Sequence, residues 1–155
     1  MKNFPYLIID SREKTPWVYN SEYKTIRKKL DVGDYSLDGY ETRVSIERKN
    51  IFDMVSCCSN RKPERNRERF KRMLDKMQHY EFRAVIIEGS LTMLMAGSWR
   101  GTMRPASVLG SIISWSQRYR IPFFFGDNPQ RASYLCLAIL KTAHNSFSQK
   151  FQKEG

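Results

Sequence analysis

Two short stretches decide the fold: Val32-Gly33-Asp34-Tyr35-Ser36-Leu37, and Thr42-Arg43-Val44-Ser45-Ile46-Glu47-Arg48 followed by Lys49. Each is built of residues that favour a pleated strand, and the Asp38-Gly39 turn dipeptide stands between them, so they are expected to form a hairpin. Along the second strand, alternation puts Glu47 and Lys49 on one face and Arg48 on the other. A carboxylate and an ammonium then share one pocket. Antiparallel pairing would bring Asp34 beside Glu47, and two carboxylates at close range repel unless a proton or a cation lies between them. A few hard oxygen donors, with room left for water and phosphate oxygens, describe a Mg²⁺ or Mn²⁺ site. Such a metal polarises a phosphate and lowers the pKa of its water, while Lys49 orients that water or neutralises developing charge. Phosphodiester hydrolysis is the reaction these groups suit.

Outward from the hairpin, Tyr6-Leu7-Ile8-Ile9-Asp10 is an apolar run of strand length that ends in a carboxylate, and it is expected to be a buried strand. A short helix is expected from Glu22 to Leu30. Asn50 to Cys58 opens another helix, and from Glu64 to Tyr80 the apolar Phe70, Met73, Leu74 and Met77 recur at helical spacing among bases. Arg83 to Glu88 reads as a buried strand stopped by Gly89. Pro105 to Tyr119 is expected to be a helix with Pro in its first turn, Ile121 to Phe125 a last strand, and Pro129 to Phe147 a last helix. Alternating strands and helices make the fold class α/β, a mixed sheet flanked by helices. No Gly/Ser or Pro-rich linker divides the chain, so residues 1–149 are expected to be one domain and 150–155 a short tail.

The chain has 155 residues and a formal net charge of +11, with 41% hydrophobic residues. That size suits one domain, and nothing in the composition is disordered or low-complexity. The excess of bases points to a polyanionic partner. It is uneven: residues 1–53 carry +1, 54–90 carry +4 and 91–155 carry +6. Three Cys, two of them adjacent at Cys57-Cys58, make neither a disulfide framework nor a zinc motif. Cys136 reads as packing. No secretory or membrane-spanning run is visible, so a cytoplasmic protein without a membrane partner is expected, or a nuclear one if the source is eukaryotic.

The string Gly33-Asp34-x(12)-Glu47-Arg48-Lys49-x-x-x-Asp53, preceded by Asp10-x-Arg12-Glu13, resembles the nuclease domain of the XPF-type structure-selective endonucleases. The resemblance covers about the first 90 residues well. It implies a restriction-endonuclease-like fold of the PD-(D/E)xK class and metal-dependent cleavage of DNA. It further implies Asp34 and Glu47 as direct metal ligands with the Arg48 carbonyl as a third, and Lys49 as the catalytic lysine. Asp10 and Glu13 would be metal or water contacts, and Arg12 a phosphate contact. Asp53 would orient Lys49 or Arg48, and Arg69 would correspond to an arginine on the next helix. Relatives in this family pair as dimers, and a homodimer through Tyr134, Leu135, Ile139 and Leu140 of the C-terminal helix is expected.

Each assignment has a plainer rival. Asp34 could be a turn residue, Glu47 and Lys49 a cross-strand ion pair, Asp10 a cap and Asp53 a helix-dipole charge. The basic run Arg61, Lys62, Arg65, Arg67, Arg69, Lys71, Arg72 and Lys76 could be a solvated helix face; beside a phosphodiesterase pocket it reads as DNA contact. Tyr35, Trp99 and Trp115 are candidates for base stacking or for packing. The competing functions are a catalytically idle DNA-binding subunit and an RNA-directed nuclease.

Overall fold

A computed structural model describes residues 4–153, with side chains to residue 149. In chain order the elements are β1 (Leu7–Asp10), β2 (Thr25–Lys28), β3 (Tyr35–Leu37), β4 (Val44–Asn50), α1 (Ile51–Cys58), α2 (Arg65–Met77), β5 (Phe82–Glu88), α3 (Leu91–Ala96), α4 (Pro105–Tyr119), β6 (Phe123–Phe125) and α5 (Pro129–Lys153). The strands form one mixed sheet in the order β2-β1-β3-β4-β5-β6. β3 and β4 pair antiparallel, with Tyr35 opposite Ile46, whereas β4, β5 and β6 run parallel. β1 is antiparallel to β3 and therefore shares its direction with β4.

Strand alternation sorts the side chains into two cores. Ala84 and Ile86 of β5 join Val44 and Ile46 of β4 beneath α5, where Cys136, Leu140 and Phe147 are buried. Val85 and Ile87 face the other way, onto Met54 of α1, Leu74 of α2 and Ile112 of α4. Each such buried aliphatic contributes about 1.5–3 kcal/mol relative to exposure, so the sheet is held between two helical layers.

Several expectations need correction. The segment expected as a helix from Glu22 to Leu30 is instead loop and the edge strand β2, because β1 offers a parallel partner over Leu7–Asp10. Helix α3 was not expected; Ser90 caps it by accepting the Met93 N–H (3.0 Å), and Gly97 ends it at φ 67°. Tyr35 and Trp115 are buried core residues and cannot stack on a base. Leu140 belongs to the core rather than to an outer face, although Tyr134 is 74% exposed. Cys136 is buried in the core, as expected. Helix α5 runs through Lys153, and residues 154–155 of the expected tail lie outside the described residues. Among the described residues no helix is long and apolar enough to cross a membrane.

Candidate active site

β1 and β4 end together, and β3 begins between them. Their meeting point is the floor of a cleft of about 640 Å³, walled on the far side by α2. Gly33 makes the entry possible. Its φ is +81°, and a Cβ there would lie 2.4 Å from Ser45 Oγ and 3.0 Å from the Ile46 carbonyl oxygen, so no other residue fits without displacement. Asp34 is then fixed from both sides: its N–H donates to the Ile46 carbonyl (2.8 Å), and its carbonyl accepts the Asp10 N–H (2.8 Å). Its side chain accepts the Arg48 N–H at 2.8 Å. A strand residue carries its N–H and C=O on the same flank. The Arg48 carbonyl therefore faces the flank occupied by Asp34.

Glu47 is buried beside this group, and Lys49 Nζ donates to its Oε1 at 2.8 Å. Burial, and then the charge of Glu47, push the Asp34 carboxyl up to about 9. Burial alone would lower the pKa of Lys49, but Glu47 and Asp34 together hold it above the ordinary lysine value, so it is an ammonium. The ammonium also sits 5.5 Å from the centre of the Phe70 ring on α2. Cys57 lines the same cleft, and burial raises its thiol, which stays protonated.

Arg48 leaves the opposite face. It pairs with Glu88 at the end of β5 (2.7 Å) and with Glu13 (3.3 Å), donates to the Thr15 carbonyl (2.6 Å), and lies 4.9 Å from the Trp17 ring centre. Trp17 in turn stacks on Tyr35 and donates its indole N–H to Glu88. No sequence spacing announces this brace of Thr15, Trp17 and Glu88, because Glu88 lies 71 residues from Trp17. For Glu88 a signal existed: it shares strand parity with Ala84 and Ile86, and so the face of Arg48.

Asp10, Arg12 and Glu13 line the same cleft, each with partners of its own. Asp10 accepts from the Leu30 N–H (2.8 Å) and from Arg12 Nε (2.8 Å) and Nη2 (3.2 Å), contacts that hold its pKa low against the effect of burial. Both its oxygens are thus committed, and it serves to aim Arg12, whose guanidinium lines the cleft. Glu13 accepts from Arg48 Nη1 through one oxygen (3.3 Å) and also lines the cleft. Among the described residues neither Lys49 nor Arg48 pairs with Asp53, which stands where a carboxylate suits the dipole of α1. It is exposed in the first turn of α1, where its N–H donates to Asn50 Oδ1 (2.8 Å). Among the described residues no group of three or more His, Cys, Asp or Glu side chains forms a metal cage. The Asp34 and Glu47 carboxylates and the Arg48 main-chain carbonyl are hard oxygen donors, with Glu13 lining the same cleft. This set fits a Mg²⁺-type ion that keeps most of its own waters.

Helix α2 divides the expected basic run. Arg69 and Arg72 are exposed on the cleft wall, with Lys76 beside them. Arg65 lines the outer side of the same helix, and Arg61 and Lys62 lie in the loop before it, against a neighbouring cavity. Arg67 is structural, since it donates to the Cys58 carbonyl (2.9 Å) and stacks on Trp115.

Asp34, Glu47 and Lys49 thus meet where the strands of a mixed sheet end, below a basic helix. The ERCC4 domain matches over residues 9–137, and the chain belongs to that family. Among solved structures it is similar to XPF from Aeropyrum pernix, at 20% identity and a TM-score of 0.68, over 90% of this chain and 61% of that one. It is also similar to XPF from Aeropyrum pernix in complex with DNA, at 21% identity and a TM-score of 0.69, over 92% of this chain and 66% of that one. The chain thus spans less than two thirds of the length of either. No curated protein matches it significantly.

Proposed function

We propose that the protein is a metal-dependent DNA endonuclease that hydrolyses phosphodiester bonds in flaps, forks or other branched DNA, in repair, recombination or mobile-element biology. The observation that carries this reading is the Asp34–Glu47 pair, set beside the Lys49 ammonium in a cleft walled by exposed arginines. Asp34, Glu47 and the Arg48 carbonyl would hold Mg²⁺, for which Mn²⁺ would substitute. When bound, that ion supplies Lewis acidity toward a phosphate oxygen and a water of lowered pKa. Lys49 neutralises charge that develops on the phosphate in the transition state. Arg12, Arg65, Arg69 and Arg72 bind phosphates and position the strand without reading its sequence. Arg48, clamped on the opposite face, holds the end of β4 in place.

The test is incubation of labelled linear, flap, fork and four-way DNA, and of RNA, with Mg²⁺, Mn²⁺ or EDTA. Cleavage of DNA with either metal, lost in EDTA and in Asp34→Asn and Glu47→Gln, is the expected result. Binding without cleavage would favour an idle DNA-binding subunit, and preference for RNA an RNA-directed nuclease. A second copy of the chain is proposed to dock on the outer surface of α5 and β6, where Phe124 and Ile139 line an apolar groove of about 300 Å³ and Tyr134 is exposed on the same helix as Ile139. Sedimentation of wild type against Tyr134→Glu tests it, a monomer in both cases being the refuting outcome.

A further inference from the structure

A second groove, of about 630 Å³, runs between α1 and the loop of residues 98–103 that precedes α4. It lies on the side of α1 away from the cleft floor and has no part in the chemistry described above. Its lining joins two aromatic rings to two arginines and the hydroxyls of Ser56 and Ser59, and no carboxylate lines it among the described residues. Phe52 is 63% exposed, an unusual state for a phenylalanine in a well-packed helix. Trp99 is half-buried, and its indole N–H donates to the Met103 carbonyl at 3.0 Å, which anchors the ring's polar edge. Arg61 and Arg100 are exposed and have no carboxylate partner among the described residues.

The groove is continuous with the catalytic side of the molecule. Ser56, Ser59 and Arg61 also line the adjoining cavity of about 360 Å³, which reaches Arg65 and Asn66, and Asn66 borders the cleft that holds Asp34 and Glu47. One exposed ring and one half-buried ring, beside guanidiniums with no carboxylate partner among the described residues, suit a ligand with flat apolar faces and a charged backbone. A closed duplex hides its base faces in the stack, so it cannot use the rings. We propose that this groove is a binding site for unpaired nucleotides, with Phe52 and Trp99 as stacking platforms and Arg61 and Arg100 as phosphate contacts. The site rests on the proposal that the protein acts on DNA, and it adds a place where a single strand leaving the cleft is held.

The full chain in EDTA is titrated with a short oligo(dT) and, separately, with a blunt duplex, followed by anisotropy and by intrinsic fluorescence. Trp17 and Trp115 are only 5% and 3% exposed, so Trp99 is the indole a base can reach among the described residues. Oligo(dT) is expected to quench the fluorescence, and Trp99→Phe is expected to abolish the quench while keeping the affinity. Phe52→Ala combined with Arg100→Gln is expected to weaken oligo(dT) about tenfold, the scale of one lost base–aromatic stack, and to leave duplex binding within about twofold. The salt dependence for oligo(dT) should become shallower by about 0.7 in log–log slope for the one phosphate lost. Equal loss on both ligands, no loss on either, or a quench that survives Trp99→Phe overturns the site. Duplex cleavage by a wild-type protein that does not bind oligo(dT) removes the groove and leaves the nuclease; oligo(dT) held by the groove with no DNA cleaved under any metal does the reverse.

Discussion

The acid pair makes a prediction about stability that needs no substrate. The Asp34 carboxyl, raised to about 9 by burial and by Glu47, has a value near 4 in the unfolded chain. Between these limits the folded protein keeps a proton that the unfolded one has released, so stability falls as pH rises from about 4 to about 9. At about 1.4 kcal/mol per pH unit for one proton, the metal-free protein loses roughly 3 kcal/mol between pH 6 and pH 8. For a chain of this size that is on the order of 5–10 °C in Tm. A cation held between the carboxylates replaces the proton, so the Tm gained on adding Mg²⁺ or Mn²⁺ over EDTA should be larger at pH 8 than at pH 6. Asp34→Asn keeps an acceptor for the Arg48 N–H and removes the titration. It should flatten the fall and cancel the metal's effect. Differential scanning calorimetry of both proteins at the two pH values, with EDTA and with metal, measures this. If wild type and Asp34→Asn lost the same Tm between pH 6 and pH 8, or gained the same from metal, the acid pair would not be the cation's seat.

Other outcomes follow from the same geometry. Lys49→Ala should slow single-turnover cleavage by about 10²- to 10³-fold, as for other electrostatic groups at reacting centres, while calorimetric metal binding persists. Replacing Arg65, Arg69 and Arg72 by Gln should leave the helix folded and make the salt dependence of duplex binding shallower by roughly two to three log–log units, read by anisotropy across a salt series. Gly33→Ala meets both a positive φ and Ser45 Oγ at 2.4 Å, so a loss of about 1–3 kcal/mol is expected in urea unfolding. Cleavage should fall further than stability, because Asp34 follows directly.

The legible parts of the molecule were those with a local period. Alternation in Val44 to Lys49 places Glu47 and Lys49 together and Arg48 apart, and the structure keeps that division on the two faces of β4. Helical spacing of Phe70, Leu74 and Met77 finds the buried side of α2. What was not legible depends on partners far along the chain. β2 is exposed along most of its length and has no apolar alternation; only its pairing with β1 makes it a strand. Asp10 reads as one more acid near a metal until Leu30, 20 residues on, is seen to donate to it. The setting of Arg48 likewise requires Glu13, Thr15 and Trp17 of one loop to converge with Glu88 at the end of β5, and no spacing encodes that.

β4 carries catalytic candidates on one side and their brace on the other, with one residue separating the two roles. Inserting or deleting a single residue between Val44 and Glu47 would exchange the faces, driving the guanidinium into the cleft and the two reactive groups into the Trp17 layer. The Tyr40–Thr42 segment, which lies in the connection before this strand and contributes no part of the cleft, has no such parity to protect. Length variation among descendants of this sequence is therefore expected to accumulate in that connection, with the strand itself admitting substitutions but no change of length.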